Sequence, residues 1–337
     1  MIQKIRKLIM LTALIISGLA FGQTALADAN DYLVRAVLPE NQNPDVSNYF
    51  DLKVTPGQKQ TLQVMIANPT DSPQKFKMYI NTATTNQNGI VDYTQLDFER
   101  DESMKVSLKD CITIAEPQIE VPANSEKEIT MELTVPEESF EGIVLGGITI
   151  EPDLTAEEEN GGSIFTRTIA IQLSETENEV APEMDAGEVT ISQDNLHNNV
   201  RFELRNVTPT LISKVKATTN ITKKGSNEPI LEQEREQLSF APNSKFNLMS
   251  EWNQQFQAGE YTYSIQLTDE AGHKWSFIKD FVIEADAASK LNKTSVDAGA
   301  GSWTDYVNYL IAAAVALIII GLLVYRNKKK QTKVEAN

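Results

Sequence analysis

The chain has 337 residues, with 47 Asp and Glu against 30 Lys and Arg, a formal charge of −17. So acidic a surface repels phosphate backbones and anionic headgroups, which argues against nucleic acid and against lying flat on lipid. A single cysteine, Cys111, rules out an intrachain disulfide, so each folded unit must hold itself together through its apolar core.

Lys4, Arg6 and Lys7 precede an apolar run from Leu8 to Phe21 and then Ala25-Leu26-Ala27, the pattern of a signal peptide over 1–27 with cleavage after Ala27. Beyond it the sequence reads as strands. Leu62, Val64 and Ile66 alternate within Gln60–Asn68, the period of a half-buried strand, and Phe76, Met78 and Ile80 alternate on the return. Asn88-Gly89 favours the positive φ of a tight turn. Ile129, Met131, Leu133 and Val135 alternate before Pro136, and the nearly continuous apolar run from Gly142 to Ile150 suits a central strand. Gly146-Gly147 within it marks a bulge or a close backbone approach.

A weak internal repeat then sets the domain count. Asn68-Pro69-Thr70, Pro122-Ala123-Asn124-Ser125 and the Gly142 strand recur in order as Asn206 to Pro209, Ala241-Pro242-Asn243-Ser244 and the strand after Gly259. The second half closes with a strand from Trp275 to Ile283, so the first needs an equivalent, which Ile164 to Leu173 supplies across a hairpin loop at 151–163. The polar, proline-ended run Ser174–Pro182 is the expected boundary. About seven strands per repeat predict an all-β protein of two tandem immunoglobulin-like sandwiches, over 33–174 and 182–285.

A polar stalk is expected over 286–302. The uncharged run Tyr309–Tyr325, flanked by Trp303 and Tyr306, predicts a single transmembrane helix over 306–325. The basic tail 326–337, with Arg326, Lys328, Lys329, Lys330 and Lys333, stays cytoplasmic, which places everything before the span outside.

No constellation for chemistry emerges. His197 and His273 fall in separate turn regions, so neither a His-based triad nor a zinc site assembles. Cys111 reads as a small apolar strand residue, and Glu99-Arg100-Asp101-Glu102 as solvated charge. No metal, no cofactor and no catalytic residue is expected. What remains is binding. Tyr49, Asn81, Thr84, Asn86 and Tyr93 lie in polar-aromatic stretches that strands do not require, and amides, hydroxyls and aromatic faces suit a neutral, hydroxyl-rich glycan. Tyr261, Tyr263, Trp275 and Phe277 fall on one hairpin, where one alternating set faces the core and the other set forms a candidate protein-binding face.

Several motifs resemble the WxL-interacting proteins of Gram-positive bacteria. They are Leu38-Pro39-Glu40-Asn41-Gln42, Tyr49-Phe50-Asp51-Leu52, Asn81-x-Ala83-Thr84-Thr85-Asn86, Gly89-x-Val91-Asp92-Tyr93 and Phe140 to Gly147. In the second half Thr222-Lys223-Lys224-Gly225, Gly259-Glu260-Tyr261 and Trp275-x-Phe277-x-Lys279-x-Phe281 are similar to the family's second domain. The resemblance implies a first domain that binds peptidoglycan and a second that binds WxL proteins, with host matrix proteins as a further partner. The function expected is a non-enzymatic, membrane-anchored scaffold in the cell wall. The alternatives are a wall-modifying enzyme with an unrecognised carboxylate pair, and a host adhesin.

Overall fold

The computed structural model describes residues 31–154 and 165–297, together with Ile311. The expected signal peptide, most of the 151–163 loop and, Ile311 apart, the 306–325 span and basic tail lie outside the described residues. Among the described residues no helix is long and apolar enough to cross a membrane.

The described chain is all-β with two short helices, and it divides into two compact units. Unit 1 comprises Met1–Ala83, Tyr93–Leu96 and Val106–Asn178; unit 2 comprises Thr84–Asp92, Asp97–Lys105 and the chain from Glu179. Unit 1 has one antiparallel sheet of β1 (Leu33–Val37), β3 (Lys59–Asn68), β9 (Ser125–Thr134) and β7 (Ile112–Ile114), in that order. Its second sheet runs β2 (Phe50–Lys53), β11 (Arg167–Ser174), β10 (Ile143–Pro152), β4 (Gln74–Thr82) and β8 (Gln118–Val121). Here β2 pairs parallel with β11, while β10 pairs antiparallel with both β11 and β4. The alternating apolar positions of both sheets, among them Leu62, Val64, Ile66, Phe76, Ile148 and Ile171, meet in one core. A four-residue helix, α1 (Leu108–Cys111), plugs Leu108 and Cys111 into it.

The two central glycines of β10 are required by close approach. A Cβ on Gly146 would stand 2.2 Å from the Asn81 carbonyl oxygen and 2.5 Å from Leu108 Cδ2; one on Gly147 would stand 2.8 Å from the Ile169 carbonyl. The nearest obstacle in each case is a backbone carbonyl, which cannot rotate away. Gly146→Ala is therefore expected to cost about 2 kcal/mol or more, within the range for overpacking a rigid core. Denaturant titration checks it; a midpoint equal to that of the parent would refute the crowding.

Unit 2 has a three-stranded sheet, β12 (Met184–Asp194), β13 (His197–Asn206) and β16 (Ser244–Glu251). The other sheet has four strands, β15 (Pro229–Phe240), β14 (Ile212–Lys223), β17 (Gly259–Thr268) and β18 (Lys274–Ile283). Phe202, Leu204, Leu238, Phe246, Tyr263 and Ile265 lie in its core. Ala285–Thr294, in the segment expected to begin a stalk, forms a helix, α2, that buries Ala288 against this core. Asn292 fixes it by exchanging hydrogen bonds with the backbone of Phe256, N–H to Oδ1 at 2.9 Å and Nδ2 to the carbonyl at 2.9 Å.

The hairpin of β5 (Thr84–Thr85) and β6 (Val91–Asp92) belongs to unit 2. The Ser239 and Met249 amides donate to the carbonyls of Gly89 and Gln87 at 2.8 and 2.9 Å, and the Arg235 guanidinium donates to the Asn88 carbonyl. Thr85 Oγ1 accepts from the Ala241 amide at 2.9 Å and bonds the Ser244 hydroxyl at 2.8 Å. Gly89, at φ 69°, lies close over Leu238 and Leu248. Segment 97–105 adds an ion pair. Arg205 holds Asp101 through Nε at 2.6 Å and Nη2 at 3.0 Å, with the carboxylate 1% exposed. The reading of Asp101 as solvated charge is thus corrected: a guanidinium more than a hundred positions away takes the place of water, which local composition does not reveal.

The sequence repeat has a structural counterpart at one corner of each unit. Asn68 Nδ2 donates to the Val121 carbonyl at 3.1 Å while its Oδ1 takes the Thr70 amide and hydroxyl. Asn206 Nδ2 donates to the Ala241 carbonyl at 2.9 Å while its Oδ1 takes the Thr208 amide and hydroxyl. Asn124 and Asn243, at φ 50° and 49°, return their amides to the carbonyls of Thr70 and Thr208.

Candidate functional site

The outer face of the β2-β11-β10-β4-β8 sheet carries the polar alternates of strands whose other side chains fill the core. Register sets them in rows. Asp51 opposes Gln172, which opposes Leu145; Ala170 opposes Gly147, which opposes Asn81; Thr168 opposes Thr149, which opposes Tyr79. Between two rows of side chains, the middle row thus has nothing larger than a methyl until Asn81.

Asn81 and Thr149 have no solvent exposure. Asn81 Nδ2 donates to the Tyr93 carbonyl at 2.6 Å, and Thr149 Oγ1 donates to the same oxygen at 3.2 Å and bonds the Thr168 hydroxyl at 3.0 Å. The Asn81 Oδ1 has no partner among the described residues. At the β2 end Asp51 accepts from Gln172 Nε2 at 2.8 Å and from Asn43 Nδ2 at 2.7 Å. The loop before β2 is laced down by Gln42, whose Nε2 donates to the Val46 and Tyr49 carbonyls and whose Oε1 accepts the Asp51 amide. That lacing sets Tyr49 in place.

Tyr49, Tyr79 and Tyr93 are each partly exposed. Burial raises the Tyr49 hydroxyl pKa, and the nearby Asp51 charge raises it further. Burial likewise raises Tyr93, with Tyr49 close enough to contribute. Tyr79 is raised by burial and by its hydrogen bond to the Glu151 carboxylate. All three hydroxyls are therefore neutral donors at physiological pH.

The structure brings together three of the five glycan candidates, Tyr49, Asn81 and Tyr93. Thr84 and Asn86 lie instead in the unit 2 hairpin. There Thr84 Oγ1 donates to the Asp92 carbonyl at 3.3 Å, and Asn86 Oδ1 caps the turn by accepting from the Asn88 and Ile90 amides at 2.9 and 3.2 Å. Thr149, Thr168, Gln172 and Tyr79 were not singled out from sequence. The signal was present for Thr149, the one uncharged polar side chain in β10.

For the second hairpin the expectation of an aromatic outer face is corrected. Tyr261 opposes Phe281, Ile265 opposes Phe277 and Leu267 opposes Trp275, and directly opposed residues share a face. All four candidates therefore point to one side, the core side. Tyr261 and Tyr263 are 1% and 0% exposed, the Tyr263 hydroxyl bonding Ser250 at 2.8 Å; Trp275 and Phe277 are half-buried. The outward alternates include Ile278 and Val282, 68% and 56% exposed.

Among the described residues no group of three or more His, Cys, Asp or Glu stands close enough to hold a metal ion. His197 pairs with Asp297, a hundred positions on, and His273 with Asp269, four positions before it, so each histidine has a separate partner. The Cys111 thiol is pushed up to about 11 by burial and by the Asp110 charge, which leaves it a poor nucleophile.

Two family models match in tandem. Residues 32–152 match the WxL Interacting Protein, peptidoglycan binding domain, and residues 162–293 match the WxL Interacting Protein, host binding domain. The chain thus carries a peptidoglycan-binding domain and a host-binding domain in tandem. It belongs to the WxL-interacting proteins. No curated protein sequence matches it. Among solved structures it is similar to the chaperone–tip adhesin complex of CFA/I fimbriae biogenesis, with 12% identity over 74% of this chain and 98% of that one, at a TM-score of 0.29. The chaperone–tip subunit pre-assembly complex of archaic Csu pili from Acinetobacter baumannii gives 9%, 65%, 90% and 0.30. The PapD-like domain of human CEP192 gives 10%, 44%, 88% and 0.27. Superpositions this loose do not bear on function.

Proposed function

We propose that the protein is a non-enzymatic scaffold of the cell surface, anchored by the hydrophobic run at 306–325, which holds WxL proteins at the peptidoglycan through tandem immunoglobulin-like modules over 33–174 and 182–285. Its partners are peptidoglycan and WxL proteins, with host proteins as a further class, in keeping with the two family descriptions. The observation that carries the wall-binding half is the uncharged floor of Asn81, Thr149 and Thr168 on the outer face of unit 1, beside Tyr49, Tyr79 and Tyr93. Neutral donors beside aromatic faces match a pyranose, whose hydroxyls need partners and whose C–H face needs an apolar surface. For the partner-binding half, Trp275 and Phe277 remain the aromatics of the β17–β18 hairpin with solvent contact.

The test is pelleting of the whole ectodomain with purified peptidoglycan. Tyr49→Ala combined with Tyr93→Ala is expected to weaken retention at least tenfold, as losing two aromatic anchors does elsewhere. Thr84→Ala with Asn86→Ala serves as the contrasting pair, since these side chains lie in unit 2. Retention unchanged in the tyrosine pair would move the wall site off this face.

A further inference from the structure

Asn81 has a feature that the polar floor does not account for. Its Nδ2 is committed to the Tyr93 carbonyl, which fixes the orientation of the amide, while its Oδ1 is closed off from solvent and answered by no described residue. An unanswered buried acceptor is costly, and such groups are rare unless a ligand or water completes them. The row that continues from it across the sheet is Gly147 and then Ala170, and the protein cannot fill that row with a larger side chain at Gly147. A Cβ there would stand 2.8 Å from a backbone carbonyl and 2.9 Å from Thr168 Cγ2. A row with no side chain larger than a methyl, bordered by Thr168 Cγ2, thus leads to a fixed acceptor that lacks a donor.

Resting on the wall-binding reading, we infer that this strip takes the acetamido group of an N-acetylhexosamine glycan, with Asn81 Oδ1 accepting its N–H. The group is flat, supplies one N–H donor, and ends in a methyl small enough to lie over Gly147 and Ala170. The floor carries no charge along that row, which disfavours phosphates and carboxylates. Because Asn81 is without exposure, entry of the group requires the Tyr93 ring to swing aside while its carbonyl keeps the Asn81 Nδ2 bond, and the ring then borders the bound sugar.

The test is competition with wall pelleting of the whole ectodomain by two neutral β-1,4 hexasaccharides, chitohexaose and cellohexaose, which share a backbone and differ at C2. Chitohexaose is expected to release the protein at a concentration about tenfold lower, the discrimination a buried polar group imposes when its partner is missing. Asn81→Ala is expected to erase that preference, so that the two sugars release the variant at equal concentrations. Should Asn81→Ala fail to fold, the comparison of the two sugars on the parent protein still decides. Equal competition by both sugars, or by neither while pelleting persists, overturns the acetamido assignment and leaves wall binding standing. Absence of pelleting on any wall preparation overturns both. A preference retained in Asn81→Ala removes Asn81 from the contact.

Discussion

A fragment beginning at residue 179 is expected to melt at least 10 °C below the same residues within 31–297. Cutting there separates Glu179 onward from the β5–β6 hairpin and the 97–105 segment, which are parts of unit 2. The lost contacts include the hydrogen bonds from Ser239 and Met249, the Thr85 bonds to Ala241 and Ser244, and the Arg205–Asp101 pair. At about 1 kcal/mol for each hydrogen bond and more for the pair, the deficit is roughly 4 kcal/mol or above. For a unit of this size each 1 kcal/mol moves the midpoint by about 3–6 °C. Tryptophan fluorescence isolates the effect, because Trp252 and Trp275 both lie in unit 2 and Trp303 lies beyond residue 297. Midpoints that agree within ~2 °C would mean that the hairpin contributes no stability. The practical corollary is that a binding assay on 179–290 alone tests a unit with two of its segments missing.

The second large effect is expected at Arg205. Burial alone would raise the Asp101 pKa, but the two guanidinium bonds and those from Ser103 outweigh it and hold the carboxyl at about 2, below the usual carboxylate range. Arg205→Ala leaves the carboxylate buried with only Ser103 to answer it, a loss of about 3 kcal/mol at pH 7. The sign with pH follows from the depressed value. The folded-state pKa lies below the unfolded one, so this contribution, about 2 kcal/mol, is present in full above about pH 4 and is lost as pH falls toward 2. The parent and the variant should therefore differ most at pH 7 and converge between pH 4 and pH 2. A gap that stays constant across that window would assign the loss to packing rather than to the ion pair.

Much of this architecture is legible from periodicity because each sheet buries one face. The alternation in β3, β4 and β9 reads directly, as does the Asn88-Gly89 turn. The partnering of β11 with β10 follows from the repeat. What escaped were properties set by register and by distant sequence. That Tyr261, Tyr263, Trp275 and Phe277 share one face depends on which residues oppose which across β17 and β18, and alternation within either strand leaves that open. Asp101 looks like surface charge until Arg205 is placed beside it. At the candidate site, Asn81 and Tyr93 could be singled out as polar-aromatic excess. Thr149 could be reached only by noticing that a strand with an apolar core face also has a reverse face. Thr84 and Asn86, adjacent to Asn81 in sequence, are separated from it because the chain changes unit after Ala83.

The matching corners at Asn68 and Asn206 bear on descent. In each, an asparagine bridges two strands, a threonine two positions on closes its oxygen, and a left-handed asparagine returns to that threonine's carbonyl. The same three-part arrangement between corresponding strands is most economically the legacy of one ancestral module copied end to end. The copies have since diverged at the side-chain amide of the left-handed asparagine. The Asn124 amide is answered by Asp71 within its own corner, whereas the Asn243 amide reaches Ser103, a residue encoded in the first copy and recruited into the second. Duplication supplied two like modules, and that loan of a segment from one to the other is what made their inheritance inseparable.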